Sequence, residues 1–168
     1  MGAHSADLTD TGAWKQDPIG AARRGENPTV IATMPSGFVA IGDTQFLPGY
    51  CLLLADAEAD HLTDLPRVRR AQFLADMSLL GEALVNVCGA WDPAFARINY
   101  EILGNTWRHL HAHLVPRYSW EPPEFRDGPV WRYADERWSD PAHALSPEHD
   151  RLAEAICREL DRLLSDPD

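Results

Sequence analysis

Seven residues, His109-Leu110-His111-Ala112-His113-Leu114-Val115, restrict the fold of this chain more than any other segment. Side chains of a β-strand point alternately to its two faces. A strand here puts three imidazoles on one side and Leu110, Ala112 and Leu114 on the other. The apolar side must meet a core. The imidazole side lines an open surface, because three such rings are costly to bury and contribute little to packing. The chain therefore needs a sheet with one face covered and one face available.

The remaining elements fit that requirement. Gly37 to Ile41 and Tyr50 to Leu54 are short apolar runs joined by a loop that ends in Pro48-Gly49, which suggests antiparallel strands. Another short strand, Thr29 to Thr33, follows the turn at Asn27-Pro28, and Ala96 to Ile102 precedes the histidine strand, taken as His109 to Val115. Asp17-Pro18 opens a short helix that Gly25 ends. The longest helix spans Pro66 to Val87, with Leu74, Met77, Leu80, Leu84 and Val87 on one face and Gly89 at its exit. Gly81 interrupts it at a cost of about 1 kcal/mol relative to alanine. Ser146-Pro147 opens a last helix with the stripe Leu152, Ile156, Leu160 and Leu163. The fold class is α+β: a small antiparallel sheet packed with one long helix, plus a C-terminal extension ending in a helix. Residues 1–16 are expected to be a loose arm, 17–118 the sheet-and-helix domain, and 119–168 an extension packed on it. Within that extension, residues 119–141 carry Trp120, Trp131, Tyr133 and Trp138 without strand or helix period.

Composition narrows the function. At 168 residues, 45% hydrophobic and 24% charged, the chain suits one globular core. It holds no run of 18 apolar residues, and Met1 to Asp10 lacks a basic start followed by an apolar stretch. No membrane association is expected, and the expected location is cytoplasmic. The formal net charge of −11 disfavours nucleic acid as a partner. It leaves small nucleotides open, since a few local donors decide their binding. Cys51, Cys88 and Cys157 form no CxxC pair and read as small core hydrophobes.

Three accounts of the histidines compete. They are surface or internally satisfied side chains, or metal ligands, or a nucleophile with its neighbours. A metal site lacks a Cys pair or an HExxH partner. The segment before the strand favours nucleophilic chemistry. Gly104 lets backbone N–H groups approach phosphate oxygens, and Asn99, Asn105 and Thr106 add neutral donors. Such donors suit charge that develops on phosphate oxygens during reaction.

With His109-Leu110-His111-Ala112-His113-Leu114-Val115 followed by Pro116-Arg117, the sequence resembles the histidine-triad family. The likeness extends back through Gly104-Asn105-Thr106 and Asn99 to the Phe38–Leu54 hairpin with Leu47-Pro48-Gly49, covering about residues 25 to 118. The resemblance implies that His111 is the nucleophile and forms a nucleotidyl-histidine intermediate, with His109 and His113 orienting it and contacting phosphate. It implies that Thr106 helps the leaving oxygen and that Asn99 lies beside the phosphates. Implied substrates are dinucleoside polyphosphates such as diadenosine tetraphosphate, then adenylylated small molecules. No cofactor is required, although Mg²⁺ can accompany a polyphosphate. A homodimer is implied as well. Zinc elements with N-terminal cysteines, present in some members, are absent here. Asp43 is the nearest match to the family's ribose-binding residue and equally reads as a turn residue. Trp120 is a candidate to stack on a base or, equally, an ordinary packing residue. Alternatives to the hydrolase are a nucleotide-sensing module with little turnover and a metal-dependent hydrolase.

Overall fold

The computed structural model describes residues 12–166. Most of the arm expected over residues 1–16 lies outside the described residues, and Ala13–Gln16 makes a single 3-10 turn. Helix α1, Pro18–Arg23, starts where the Asp17 carboxylate accepts the Gly20 N–H at 2.9 Å. It stops before Gly25, whose φ of 70° lies in the left-handed region.

Five strands follow: β1 (Val30–Met34), β2 (Gly37–Ile41), β3 (Cys51–Ala55), β4 (Phe95–Glu101) and β5 (His111–Tyr118). They form one antiparallel sheet in the order β1-β2-β3-β5-β4. β5 differs from the expected strand at both ends. It begins at His111, so His109 lies just before it, and it runs on through Pro116 to Tyr118. Pairing with β3 ends at Leu114, which leaves one side of β5 open beyond that point. A proline without an N–H is tolerated there.

Helix α2, Arg67–Trp91, passes straight through Gly89, the expected exit. The true stop is Pro93: Asp92 before it is extended, with φ −137° and ψ 117°, and only its N–H still bonds back to Cys88. The buried stripe is also rotated from the expected one. Phe73, Leu80, Ala83, Leu84 and Cys88 are fully enclosed, while Leu74 is 38% exposed. Gly81 has a packing reason, since a Cβ there would lie 2.0 Å from the Tyr100 hydroxyl, so β4 approaches α2 closely at that point.

One face of the sheet, with Val39, Leu53, Ala112 and Leu114, packs on α2 and on α5 (Asp150–Ser165). Leu152, Ile156 and Leu160 of α5 are at most 2% exposed. Burial of each such side chain contributes about 1.5–3 kcal/mol, so the three together rival the ~5–15 kcal/mol net stability of a whole domain. The last helix is therefore structural to the core. Between β5 and α5 the chain crosses the other face of the sheet in short turns, including α3 (Pro123–Arg126) and α4 (Asp135–Trp138). It is anchored there by Val130 and Tyr133, which pack with Phe46, Tyr50, Val115 and Tyr118.

Candidate active site

β5 presents the histidines as the alternation requires. Leu110, Ala112 and Leu114 are at most 1% exposed in the core, and His111 and His113 point to the opposite face. Their ring centroids lie 4.7 Å apart, edge to face. Each imidazole commits one nitrogen to a protein partner. Nδ1 of His111 is 2.6 Å from the backbone carbonyl of His109, and Nε2 of His109 is 2.7 Å from the carbonyl of Ala55. A carbonyl only accepts, so both nitrogens carry the proton, and Nε2 of neutral His111 keeps its lone pair. Nδ1 of His113 shares a 2.7 Å hydrogen bond with the Tyr50 hydroxyl.

Burial disfavours the charged form of His111 and of His113. Burial lowers the pKa of His111, and the neighbouring His109 adds to the effect against the opposing hydrogen bond. His113 is pushed down to about 4, by burial first and by His111 second. Burial also raises the Tyr50 hydroxyl, with the Asp43 and Glu101 carboxylates adding to the rise. An uncharged imidazole with a fixed tautomer and one nitrogen without a protein partner is the ground state of a nucleophile, here on a ring only 6% exposed and not on the open surface expected.

The other candidate residues fall into two groups. Gly104 has φ 122°, a backbone conformation that side chains resist, and it sits in the connection from β4 to β5 with exposed Asn105 and Thr106. Thr106 immediately precedes Trp107, whose indole lies 5.2 Å from His109 and 4.9 Å from His111, ring centre to ring centre. Asn99 lies on the sheet face of the histidines, opposite Val115 and two register positions beyond the Glu101–His113 pair. Its Oδ1 is buried without a hydrogen-bond partner among the described residues. Asp43 stands at a cleft of about 180 Å³ that Asn27, Thr29, Ala40, Leu52, Leu54 and Trp107 also line. Leu54 and Leu52 are the cross-strand partners of His111 and His113, so this cleft opens directly beside the triad. Asp43 is exposed and also holds a loop contact, its carbonyl accepting from Leu145 N–H at 2.9 Å. Among the described residues, no three His, Cys, Asp or Glu side chains converge to hold a metal.

The family model described as the HIT domain matches residues 24–120. The chain belongs to the HIT domain family. HIT proteins are generally nucleotide hydrolases or transferases and bind nucleotide substrates. Solved structures share the fold. A histidine triad protein from Sinorhizobium meliloti is 22% identical, with 82% of this chain and 93% of that chain covered and a TM-score of 0.64. One from Marinobacter aquaeolei is 20% identical over 80% and 89% of the two chains, with a TM-score of 0.65. A zinc-bound histidine triad family protein from Mycobacterium smegmatis is 19% identical over 86% and 93%, with a TM-score of 0.61. No curated protein sequence matches the chain.

Several side chains around the HIT triad escape a reading of the motif. Tyr50 on the hairpin and Trp107 beside the motif brace the imidazoles. Trp131 lies beyond the matched HIT segment, yet its ring centroid is 5.1 Å from that of His113 at 80°, and it stacks on Trp138 at 4.8 Å. Its indole N–H bonds to Glu101, the cross-strand partner of His113. Trp120, by contrast, stacks on Tyr118 at 5.0 Å and donates to Asp92. It sits past the far end of β5, more than 20 Å along the strand from His111 at about 3.3 Å per residue, so the packing role is the one it fills. Arg117 is not a solvated strand-flanking cation. It is 2% exposed, bonded through its side chain to Glu121 and to the carbonyls of Phe125 and Gly128.

Proposed function

We propose that this HIT protein cleaves a nucleotide at its α-phosphate through a nucleotidyl intermediate on His111. The observation that carries this is the 2.6 Å bond from His111 Nδ1 to the His109 carbonyl, which fixes the proton and leaves Nε2 to attack. The nucleoside would occupy the cleft of Leu52, Leu54, Ala40 and Trp107, with Asp43 at its ribose edge. At about 180 Å³ that cleft is below the ~300–1,000 Å³ of a drug-sized site, which suits one nucleoside and not a whole dinucleotide. Attack makes His111 cationic, and the same carbonyl then accepts a charge-assisted hydrogen bond of about twice the neutral strength. Thr106 and the backbone near Gly104 would meet the departing oxygen, with Asn99 beside the phosphates. Water on the covalent intermediate releases the nucleoside monophosphate. Two in-line displacements retain configuration at phosphorus.

Dinucleoside polyphosphates and adenylylated small molecules are the substrate classes to compare. The imidazole is itself the nucleophile, so no metal is required for attack, and Mg²⁺ would act by accompanying a polyphosphate. A second copy would pair along β4, the sheet edge that ends beside Asn99 and Glu101. The decisive assay is AMP release from diadenosine tetraphosphate and from an AMP–amine, in the parent and in His111→Ala, with and without a chelator. Chelator-resistant release that His111→Ala abolishes is the expected result. Binding without release in the parent would instead make the protein a nucleotide sensor, and release lost with chelator would transfer the chemistry to a metal.

A further inference from the structure

We infer that Glu101 and Trp131 form the leaving-group wall of the site and select a group presenting a cation or a planar ring over one presenting further phosphates. The inference rests on the proposed reaction at His111 and gives part of the C-terminal extension a role in choosing what departs.

Strand order sets the geometry. β5 lies between β3 and β4, so the nucleoside cleft is on the β3 side of the histidines and the β4 side remains for the departing group. The first charge met there is negative. Glu101 is directly opposite His113, and side chains paired in this way have Cβ atoms about 4.5–5.5 Å apart. The Glu101 carboxylate is close enough to oppose ionisation of the Tyr50 hydroxyl, which is 2.7 Å from His113. Of the nearer arginines, Arg132 donates to the Glu124 carbonyl at 3.4 Å and Arg137 lies over the Phe46 ring. Arg97 is four residues along β4 from Glu101, about 13 Å at 3.3 Å per residue. Arg117 is paired with Glu121, and Arg126 with Asp127 at 3.0 Å.

Trp131 supplies the ring. Its edge-to-face geometry with His113 and its bond to Glu101 fix the indole, and Trp138 stacks against it. Trp131 remains 41% exposed, so indole surface stays open beside the carboxylate. A carboxylate with an accessible indole recognises an ammonium or a flat ring. The segment that delivers Trp131 is pinned on both sides, by Arg117 on the Gly128 carbonyl and by the Tyr133 hydroxyl on Glu121 at 2.9 Å. Removing one unit charge about 6 Å from the departing group, at an effective dielectric of about 40, changes its selection about tenfold.

The test is a matched series of AMP amides made with 1,5-diaminopentane, pentylamine and 5-aminopentanoate, which carry a distal cation, no charge and an anion. The expected order of kcat/KM in the parent is cation, then neutral, then anion. Glu101→Gln is expected to shrink the cation-to-anion ratio about ten- to hundredfold at an unchanged Tm. Trp131→Ala is expected to lose any preference for 2-phenylethylamine over pentylamine as the leaving group. Equal rates across the charge series in the parent, or an unchanged ratio in Glu101→Gln, would overturn the inference. If the parent releases AMP from none of them, the proposed reaction fails by itself. The charge order is then read from binding of the three amides to His111→Ala, where a graded affinity supports the wall and equal affinities refute it.

Discussion

His113→Gln tests whether His113 is held neutral by the fold. In the folded protein His113 titrates at about 4, pushed down by burial and by His111, whereas an unfolded histidine titrates near 6.5. Because the folded value is the lower one, the unfolded chain binds protons first as pH falls. The stability this group contributes is complete above about pH 6.5 and is lost progressively down through pH 4. Integrating the two titrations gives a loss of about 2 kcal/mol by pH 5 and about 3 kcal/mol by pH 4, a substantial part of a ~5–15 kcal/mol total. Glutamine retains an acceptor for the Tyr50 hydroxyl and removes the titration. Urea denaturation at pH 7.5 and pH 5 measures the effect, and the carboxylates and His111 titrate in both proteins. The parent is expected to lose about 2 kcal/mol more than His113→Gln between the two pH values. Parallel losses would show that His113 is not held neutral, and the electrostatic argument for the site would fall with it.

Two further outcomes follow from the same contacts. Arg117→Met leaves Glu121, whose side chain is fully buried, without its partner, and should cost about 3–5 kcal/mol in urea denaturation. Arg117→Met with Glu121→Leu should recover most of that cost, and a single variant within about 1 kcal/mol of the parent would contradict the buried pair. Trp107→Ala uncovers His111 and weakens the burial that lowers its pKa. Since attack in the proposed reaction needs the neutral ring, the acid limb of the pH–rate profile should move to higher pH, and an unmoved limb would show that the indole does not desolvate His111.

The triad face was legible because its cause is local. Alternation along five residues decides which rings share a surface, whatever the rest of the chain does. Helix α2 was legible in position and less so in detail. Its apolar residues surround more than one face, so periodicity left the buried stripe free to rotate from Leu74 to Phe73, and contact with β4 at Gly81 settled the choice. Its end was misjudged because Gly89 is a permissive residue, whereas Pro93 is a prohibitive one. The braces of the site were not legible for a different reason. Tyr50, Glu101 and Trp131 meet His113 from three separate parts of the chain, and strand register brings only one of them opposite it. Trp120 was the stacking candidate in the sequence and Trp131 was not, because nothing in an aperiodic aromatic segment says which ring returns to the sheet. Only the buried Arg117–Glu121 pair, which turns the chain back across the sheet, separates them.

The same electrostatics explain how a chain of net charge −11 can handle a phosphate. A cluster of fixed cations would bind the substrate's ground state and its transition state alike, which lowers KM without raising kcat. Here burial lowers the pKa of His111 and His113, helped by His109 at the first and by His111 at the second, and Nδ1 of His111 waits on a carbonyl. In the proposed reaction, positive charge appears on His111 only as the bond to phosphorus forms, when the oxygens on the pentacoordinate phosphorus carry their greatest negative charge. The attraction then exists mainly in the transition state, where it accelerates the step. A permanent cation at His113, as in His113→Lys, should therefore tighten binding of AMP without raising kcat for its release. Tighter binding accompanied by a higher kcat would refute this account of why the site is built from uncharged rings.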